Sequence, residues 1–527
     1  MKKEFKLSEI DIGYADGEKE ADGKNFLDIF YNENNKYEEI MKKYMFIISG
    51  RKGTGKTVLA KYIQKNNKCK TQIIEYTKIS EISLHEYIDI EKINVSDDDR
   101  FLFQEYYIYK QLLLLIRKRI LHMTDFLMDN VSFFQKIKKF FDYFGYKKLI
   151  KKINNYFNEL YQPGSPYETM DIKDVRKILD TIETQTDANF SNSKFGFRGA
   201  SSLEYTNEIN SIRKNFAKRL EDYKSFVSNI SKYIGFILII DDLDEIKTTS
   251  KEHSLYFLIN FVKKINEINI TLNSCNNKSK CIVLLRSDII SKFSAMDHNI
   301  QKILNDCTVE LKWFSQTNKD ELAHMIMHKI KHSVSSDFFS KMSYEEMHKQ
   351  LFPCEGKKSK DKIKYGDGFK YIFDHSFGRP RDIINYLKVV IKNYPNKDKF
   401  ELQDIIDSLQ DYSVSFLNEL KNEMSFSFDY KEIEDIFELL KRFGKKEFNY
   451  EDIKGYYSQN LVSYPNINEL DYVLNYLYEL GAIGNIRNIG KKGKKYYSWS
   501  YRDNARSTLE FSERIIIHKG LIRALNI

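Results

Sequence analysis

Five short apolar runs stand out along the chain. Met45–Ile48, Phe236–Ile240 and Cys281–Leu285 are uninterrupted. That is the pattern of strands buried on both faces, as in parallel sheets. Thr71–Tyr76 is weaker, and Thr308–Leu311 precedes a helical stretch at Lys319–Lys331. Helical periods alternate with these runs, which predicts a three-layer α/β domain. Before it, residues 1–43 read as a polar segment with short helices near Phe26–Tyr31 and Tyr37–Lys43. The core, 44–315, is interrupted at about 100–234 by a mainly helical insertion. Leu112–Ile120, Phe133–Phe144, Leu149–Leu160 and Ile209–Ile230 carry the helical period there, and Phe195–Gly199 suits a small hairpin. A helical unit at 316–395 follows, weak in signal across 333–368. Residues 396–430 link it to a final compact unit, 431–527. That unit offers helices at Lys431–Arg442, Tyr450–Tyr457 and Ile467–Leu480, strands at Ala482–Asn488 and Tyr496–Ser500, and a docked terminal segment at Glu513–Leu521.

Composition narrows the class. The chain has 527 residues, enough for two to four domains. With 84 basic against 75 acidic residues the net charge is +9, a mild excess, so any basic patch has to be local. Five scattered cysteines are an odd set and predict reduced thiols rather than a disulfide framework. The first twenty residues have no apolar core of the kind a secretory signal carries. No stretch approaches the roughly 18–20 apolar residues of a spanning helix. The expectation is a cytoplasmic protein with no membrane partner.

Chemistry enters at Gly50-Arg51-Lys52-Gly53-Thr54-Gly55-Lys56-Thr57, a complete G-x-x-x-x-G-K-[ST] phosphate-loop pattern. It lies between an apolar strand and the helix Val58–Gln64, the context the motif needs. Glycines let backbone N–H groups curl around phosphate oxygens, and the helix N-terminus adds favourable dipole charge. Gly50, Gly53, Thr54, Gly55, Lys56, Thr57 and Val58 are the nucleotide contacts this predicts. Lys56 would reach the β- and γ-phosphates and Thr57 would hold Mg²⁺. The second half is Asp241-Asp242-Leu243-Asp244-Glu245 at the end of an apolar strand, where ligands bind in open α/β sheets. Asp241 is expected to serve Mg²⁺ and Asp242 to orient the attacking water, with Asp244 and Glu245 as competitors. An acidic turn capping a helix is the plainer alternative. Arg286 ends the third strong strand and would face the γ-phosphate or pair with the acidic turn.

At these residues the order strand–GxxGxGKT–helix, then hhhhDDLDE, then hhhLRSD, resembles the AAA+ and STAND group of P-loop ATPases, most closely their initiator-like (Orc/Cdc6) and STAND branches. The resemblance implies an ASCE-type parallel sheet followed by a helical lid and a winged helix. Phe377-Gly378-Arg379-Pro380-Arg381-Asp382 resembles the helix start in those lids, so Arg379 and Arg381 are expected as lid arginines reaching toward phosphate. Ion pairs within the lid are the alternative. Members of a bacterial P-loop ATPase family with similar GRKGSGKT and DDLD motifs resemble components of anti-phage defence loci. The large insertion departs from a minimal core, and no arginine finger acting in trans is evident.

Other signals are weaker. His324, His328 and His332 recur at helical spacing on a polar face without an H-E-x-x-H, which argues against zinc. The stripe Phe133, Phe134, Phe140, Phe141 and Phe144 suits a core or interface. Lys491, Lys492, Lys494 and Lys495 form a basic wing between the last two predicted strands. The expected activity is Mg²⁺-dependent ATP hydrolysis driving a conformational switch, in anti-phage defence, with a protein effector or a homo-oligomer as its output. A DNA-binding, loader-like ATPase with that wing on duplex DNA is the alternative. The acidic helix Asn468–Leu480, with Glu469, Asp471 and Glu479 and no Lys or Arg, disfavours it.

Overall fold

The computed structural model describes residues 5–32, 34–66, 72–79, 104–116, 220–228, 231, 235–246, 251–274, 279–313, 320–334, 337–353, 368–425, 427–489, 494–502 and 508–527. The phenylalanine stripe at 133–144, the hairpin at Phe195–Gly199 and Lys491 and Lys492 lie outside them. The chain folds into two compact units. One gathers residues 37–49 and 63–310; the other gathers 1–36, 50–62 and 311–527.

The first unit is built on a five-stranded parallel sheet. Its strands are β1 (Ile47–Gly50), β2 (Gln72–Lys78), β3 (Gly235–Asp241), β4 (Lys280–Arg286) and β5 (Thr308–Glu310), in the order β2-β3-β4-β1-β5. Every position of β3 and β4 is buried, which is why these strands read as unbroken apolar runs. Because all five run parallel, the C-terminal ends of β1, β3 and β4 lie along one edge. Helix Lys251–Ser274 follows β3, and helices Ser287–Met296 and Ile300–Cys307 lie between β4 and β5. Of the predicted insertion, 104–116 and 220–228 are described, and both are helical. Tyr106 stacks on Tyr223 at 5.6 Å, and Glu105 bridges Lys224 and Lys264.

The other unit collects the N-terminal segment, the loop after β1 and everything from Leu311 onward. Its core joins Leu7, Ile10, Ile12 and Tyr31 to the buried faces of helices Glu321–Ser333, Tyr344–Leu351, Gly368–Asp374 and Pro380–Asn393. The N-terminal segment is tied down by backbone bonds from Leu7 to the carbonyl of Lys397 and from Ser8 to that of Pro395. The stretch expected as a link is itself helical, Leu402–Asp407 and Leu409–Met424. Leu409, Tyr412, Phe416, Leu420 and Met424 recur at helical spacing and are all buried, so this stretch packs rather than tethers.

The last part holds a small antiparallel sheet in the order β6-β9-β7-β8: Glu447–Phe448, Arg514–Ile517, Ile483–Ile489 and Lys494–Ser498. Helices Tyr430–Phe443, Tyr450–Gln459 and Leu470–Leu480 precede the β7–β8 hairpin. The terminal segment expected only to dock supplies β9, between β6 and β7, with Ile515, Ile516 and Ile517 all buried. Among the described residues no helix is long and apolar enough to cross a membrane.

Candidate functional site

β1 runs directly into the loop Gly50–Gly55, and the helix Lys56–Lys65 opens at Lys56. Gly53 and Gly55 have φ of +83° and +95°, conformations that glycine adopts without a Cβ penalty. Among the described residues a Cβ on Gly55 would meet nothing within 4 Å, so the loop is open toward them there. Gly50 is required for a different reason: a Cβ would lie 2.4 Å from the Thr54 hydroxyl. That hydroxyl donates to the Arg51 carbonyl at 2.8 Å, turning the Thr54 side chain into the loop. Lys56 Nζ donates to the carbonyls of Gly50 at 3.0 Å and Arg51 at 3.2 Å, so the ammonium is folded along the loop. Trp313 Nε1 donates to the Thr54 carbonyl at 2.8 Å and braces the turn.

Two segments far away in sequence close on this loop. The first is Asp16-Gly17, where Asp16 caps the helix Gly17–Ala21 by accepting from the N–H groups of Glu18 and Lys19. Those backbone bonds, and behind them the Lys19 and Arg381 charges, hold the Asp16 carboxyl below its ordinary value. A Cβ on Gly17 would come within 2.9 Å of Thr57 Cβ and 3.1 Å of the Val58 nitrogen, so only glycine lets this turn lie on the start of the loop's helix. Sequence reasoning missed it; the Asp-Gly pair ahead of a capped helix was the available signal.

The second segment is Phe377–Asp382. Gly378 turns with φ +66° and Pro380 opens the next helix. The N–H of Arg381 donates to the Gly53 carbonyl at 3.3 Å, and a Cβ on Gly53 would lie 3.0 Å from Arg381 Cβ. The Arg381 guanidinium bonds the Ala15 carbonyl at 3.1 Å and Glu419 at 3.3 Å. Arg379 is placed otherwise. It is 3% exposed, grips Asp382 with Nε and Nη2 at 2.9 and 3.0 Å, and pairs with Glu423. Its carboxylate partners push its pKa up against the opposing effect of burial, the largest single influence. Of the two expected lid arginines, only Arg381 has backbone in contact with the loop; Arg379 takes up the ion-pair role within its own helical unit.

The acidic turn belongs to the sheet unit. Asp241 ends β3 and is 4% exposed. Its Oδ2 accepts from the Tyr76 hydroxyl on β2 at 2.8 Å, and its Oδ1 accepts from the Asp242 N–H at 2.8 Å. Asp242 has φ +59°, a left-handed conformation that aspartate tolerates better than most residues. Its carboxylate lies 3.3 Å from Lys78. Arg286, at the end of β4, forks onto Asp288 at 2.7 and 3.1 Å and reaches Asp244 at 3.4 Å. The pairing of Arg286 with the acidic turn is therefore present.

Lys495 pairs with Glu447 at 3.0 Å. In the histidine row, His328 bonds the Tyr344 hydroxyl at 2.8 Å and lies edge-on to Tyr31. Among the described residues no cluster of His, Cys, Asp and Glu is arranged to hold a metal ion.

Residues 320–421 match the family described as the FunZ-associated C-terminal helical domain. This is the region that presents Arg379 and Arg381. A solved structure of a Walker-type ATPase of Pyrococcus abyssi is similar at 12% identity and a TM-score of 0.34, over 90% of this chain and 94% of that one. No curated protein matches the sequence. The parallel five-stranded sheet with a phosphate loop after β1 places the chain in the α/β P-loop class.

Proposed function

We propose that this protein binds and hydrolyses ATP and works as a nucleotide-driven conformational switch. The observation that carries the reading is the loop itself: complete in sequence, built with two positive-φ glycines, open at Gly55, and leading into a helix whose first residues are Lys56 and Thr57. Backbone N–H groups of that loop and the helix dipole favour a polyphosphate. By the sequence motif Asp241 is one hard oxygen donor of the kind Mg²⁺ takes, directly or through its waters, and Thr57, at the loop, is the other. Bound there, the ion would neutralise charge developing on the phosphates. Lys56 would leave the Gly50 and Arg51 carbonyls for the β- and γ-phosphates. Asp242 would orient the attacking water, with Lys78 holding its carboxylate meanwhile.

The segment Phe377–Asp382 fits a lid arginine role for Arg381, whose backbone already touches Gly53. The three helices and hairpin of residues 430–498 fit a winged helix. A role in bacterial anti-phage defence, with an effector or further copies of the chain as the output, rests on the resemblance of the motifs. The DNA-binding reading gains nothing from the geometry, since Lys495 is engaged by Glu447 and the helix ahead of the hairpin is acidic.

The test is Lys56→Ala. ATP binding by calorimetry and phosphate release should both be lost, while the folded-state circular dichroism is kept. Undiminished hydrolysis by the folded variant would refute the assignment.

A further inference from the structure

Arg51 occupies a position that the phosphate-loop pattern leaves open. A guanidinium meant for phosphate would turn into the mouth of the loop. Here the side chain turns away, to the far C-terminal part of the same unit. Its Nη2 donates to the Leu480 carbonyl at 2.5 Å and lies 3.9 Å from Glu423. The guanidinium centre stands 4.9 Å over the Phe377 ring and 5.8 Å from that of Tyr501. Leu480 ends the helix Leu470–Leu480, which is stopped by Gly481 at φ +81°. Its carbonyl is one of the helix's unpaired acceptors, at the negative end of the dipole, so a planar cation is well matched to it. The fit is close on the other side as well, since a Cβ on Gly481 would lie 2.6 Å from Tyr501 and 3.2 Å from Phe377.

The main chain of the same residue governs the loop. The Arg51 carbonyl accepts from Thr54 Oγ1, from the Thr54 N–H at 3.3 Å and from Lys56 Nζ. Phosphate arriving in the loop would draw Lys56 off that carbonyl and so disturb the residue whose side chain clasps the C-terminal domain.

We infer that Arg51 is a positioning residue that couples nucleotide in the loop to the docking of residues 430–527. The inference rests on the proposal that the loop binds nucleotide. By reciprocity, whatever nucleotide does to docking, docking does equally to nucleotide affinity.

The chain has two tryptophans, and both are well placed. Trp313 touches the loop, while Trp499 lies edge-on to His518 at 5.1 Å, beside Tyr501. In the wild type, the part of the tryptophan emission that Trp499→Phe removes reports on the C-terminal domain, and calorimetry with Mg²⁺ and ADP or ATPγS reports binding. The expected result is a nucleotide-dependent Trp499 change that disappears in Arg51→Met. Nucleotide should still bind, with affinity shifted by at least about 5-fold, the low end of usual coupling. Tyr501→Leu, which leaves the loop sequence intact, should reproduce both effects.

Three outcomes overturn the inference: a silent Trp499 while calorimetry shows binding, an Arg51→Met response equal to the parent's, or Arg51→Met that folds but binds nothing, which would make Arg51 only a shaper of the loop. Failure of the parent to bind any nucleotide would instead remove the proposed function.

Discussion

Gly53 and Gly55 share a positive φ but not an environment. A Cβ at Gly55 meets open space, whereas one at Gly53 meets the Arg381 side chain at 3.0 Å. Gly55→Ala should therefore destabilise the nucleotide-free protein by only the left-handed backbone penalty, about 1–2 kcal/mol. Gly53→Ala should lose that and a packing term besides. Urea denaturation of the two variants checks the ranking, and equal losses would mean that Arg381 yields freely. Asp242 presents the opposite case, a side chain kept where backbone strain argues for glycine. Asp242→Asn should retain ATP and slow turnover by about 10²–10⁴, the usual scale of general-base help. Asp242→Gly should be equally slow yet no less stable, since glycine relieves the φ of +59°. Turnover in Asp242→Asn at the parent rate would move the role along the turn to Asp244 or Glu245.

At the scale of the element, β4 carries a buried lysine. Lys280 Nζ donates to the carbonyls of Ile40, Lys42 and Met45 at 2.5, 2.9 and 2.9 Å. It thereby closes the end of helix Lys36–Ile40 and the turn into β1, satisfying acceptors that the helix leaves orphaned. Burial pushes the ammonium down to about 7. In the unfolded chain it titrates near 10.4. Between these values the unfolded state holds the proton and the folded state does not, so stability rises with pH across that window, with a slope approaching about 1.4 kcal/mol per pH unit. Below about pH 7 both states are charged and the desolvation penalty is felt in full. Denaturation of the wild type from pH 7 to 10 should show this rise, and Lys280→Met should lack it. A rise of the same size in Lys280→Met would assign it to another group.

Over the whole molecule, chain order and packing diverge. The segment 50–62 is drawn by sequence from between two parts of the sheet unit, yet it packs with residues 1–36 and 311–527. The N-terminal segment, polar in composition, plants Leu7 at 0% exposure in the core shared with helices 321–333 and 380–393. Leu7→Ala should destabilise that unit by about 2–5 kcal/mol, the usual range for a buried leucine truncated to alanine. A thermal melt with no shift would show that the segment is dispensable for the packing of residues 311–527.

What the chain determined by itself is what depends on neighbours in sequence. The apolar runs at 45–48, 236–240 and 281–285 become β1, β3 and β4 because burial on both faces leaves no polar alternation to hide them. The phosphate loop is legible because its glycines answer to local φ and to an adjoining helix. The helices at 431–442 and 450–457 show through their periodicity. Tertiary structure decided the rest. Asp16-Gly17 over the start of the loop's helix, Tyr76 on Asp241, and Arg51 reaching Leu480 are contacts across about 40 to 430 residues, and no local period records them. Of Arg379 and Arg381, two positions apart with the same chemistry, only packing could say which would be buried on Glu423 and which would lie against Gly53. A side chain's direction is fixed by what surrounds it, and those surroundings come from the folded chain.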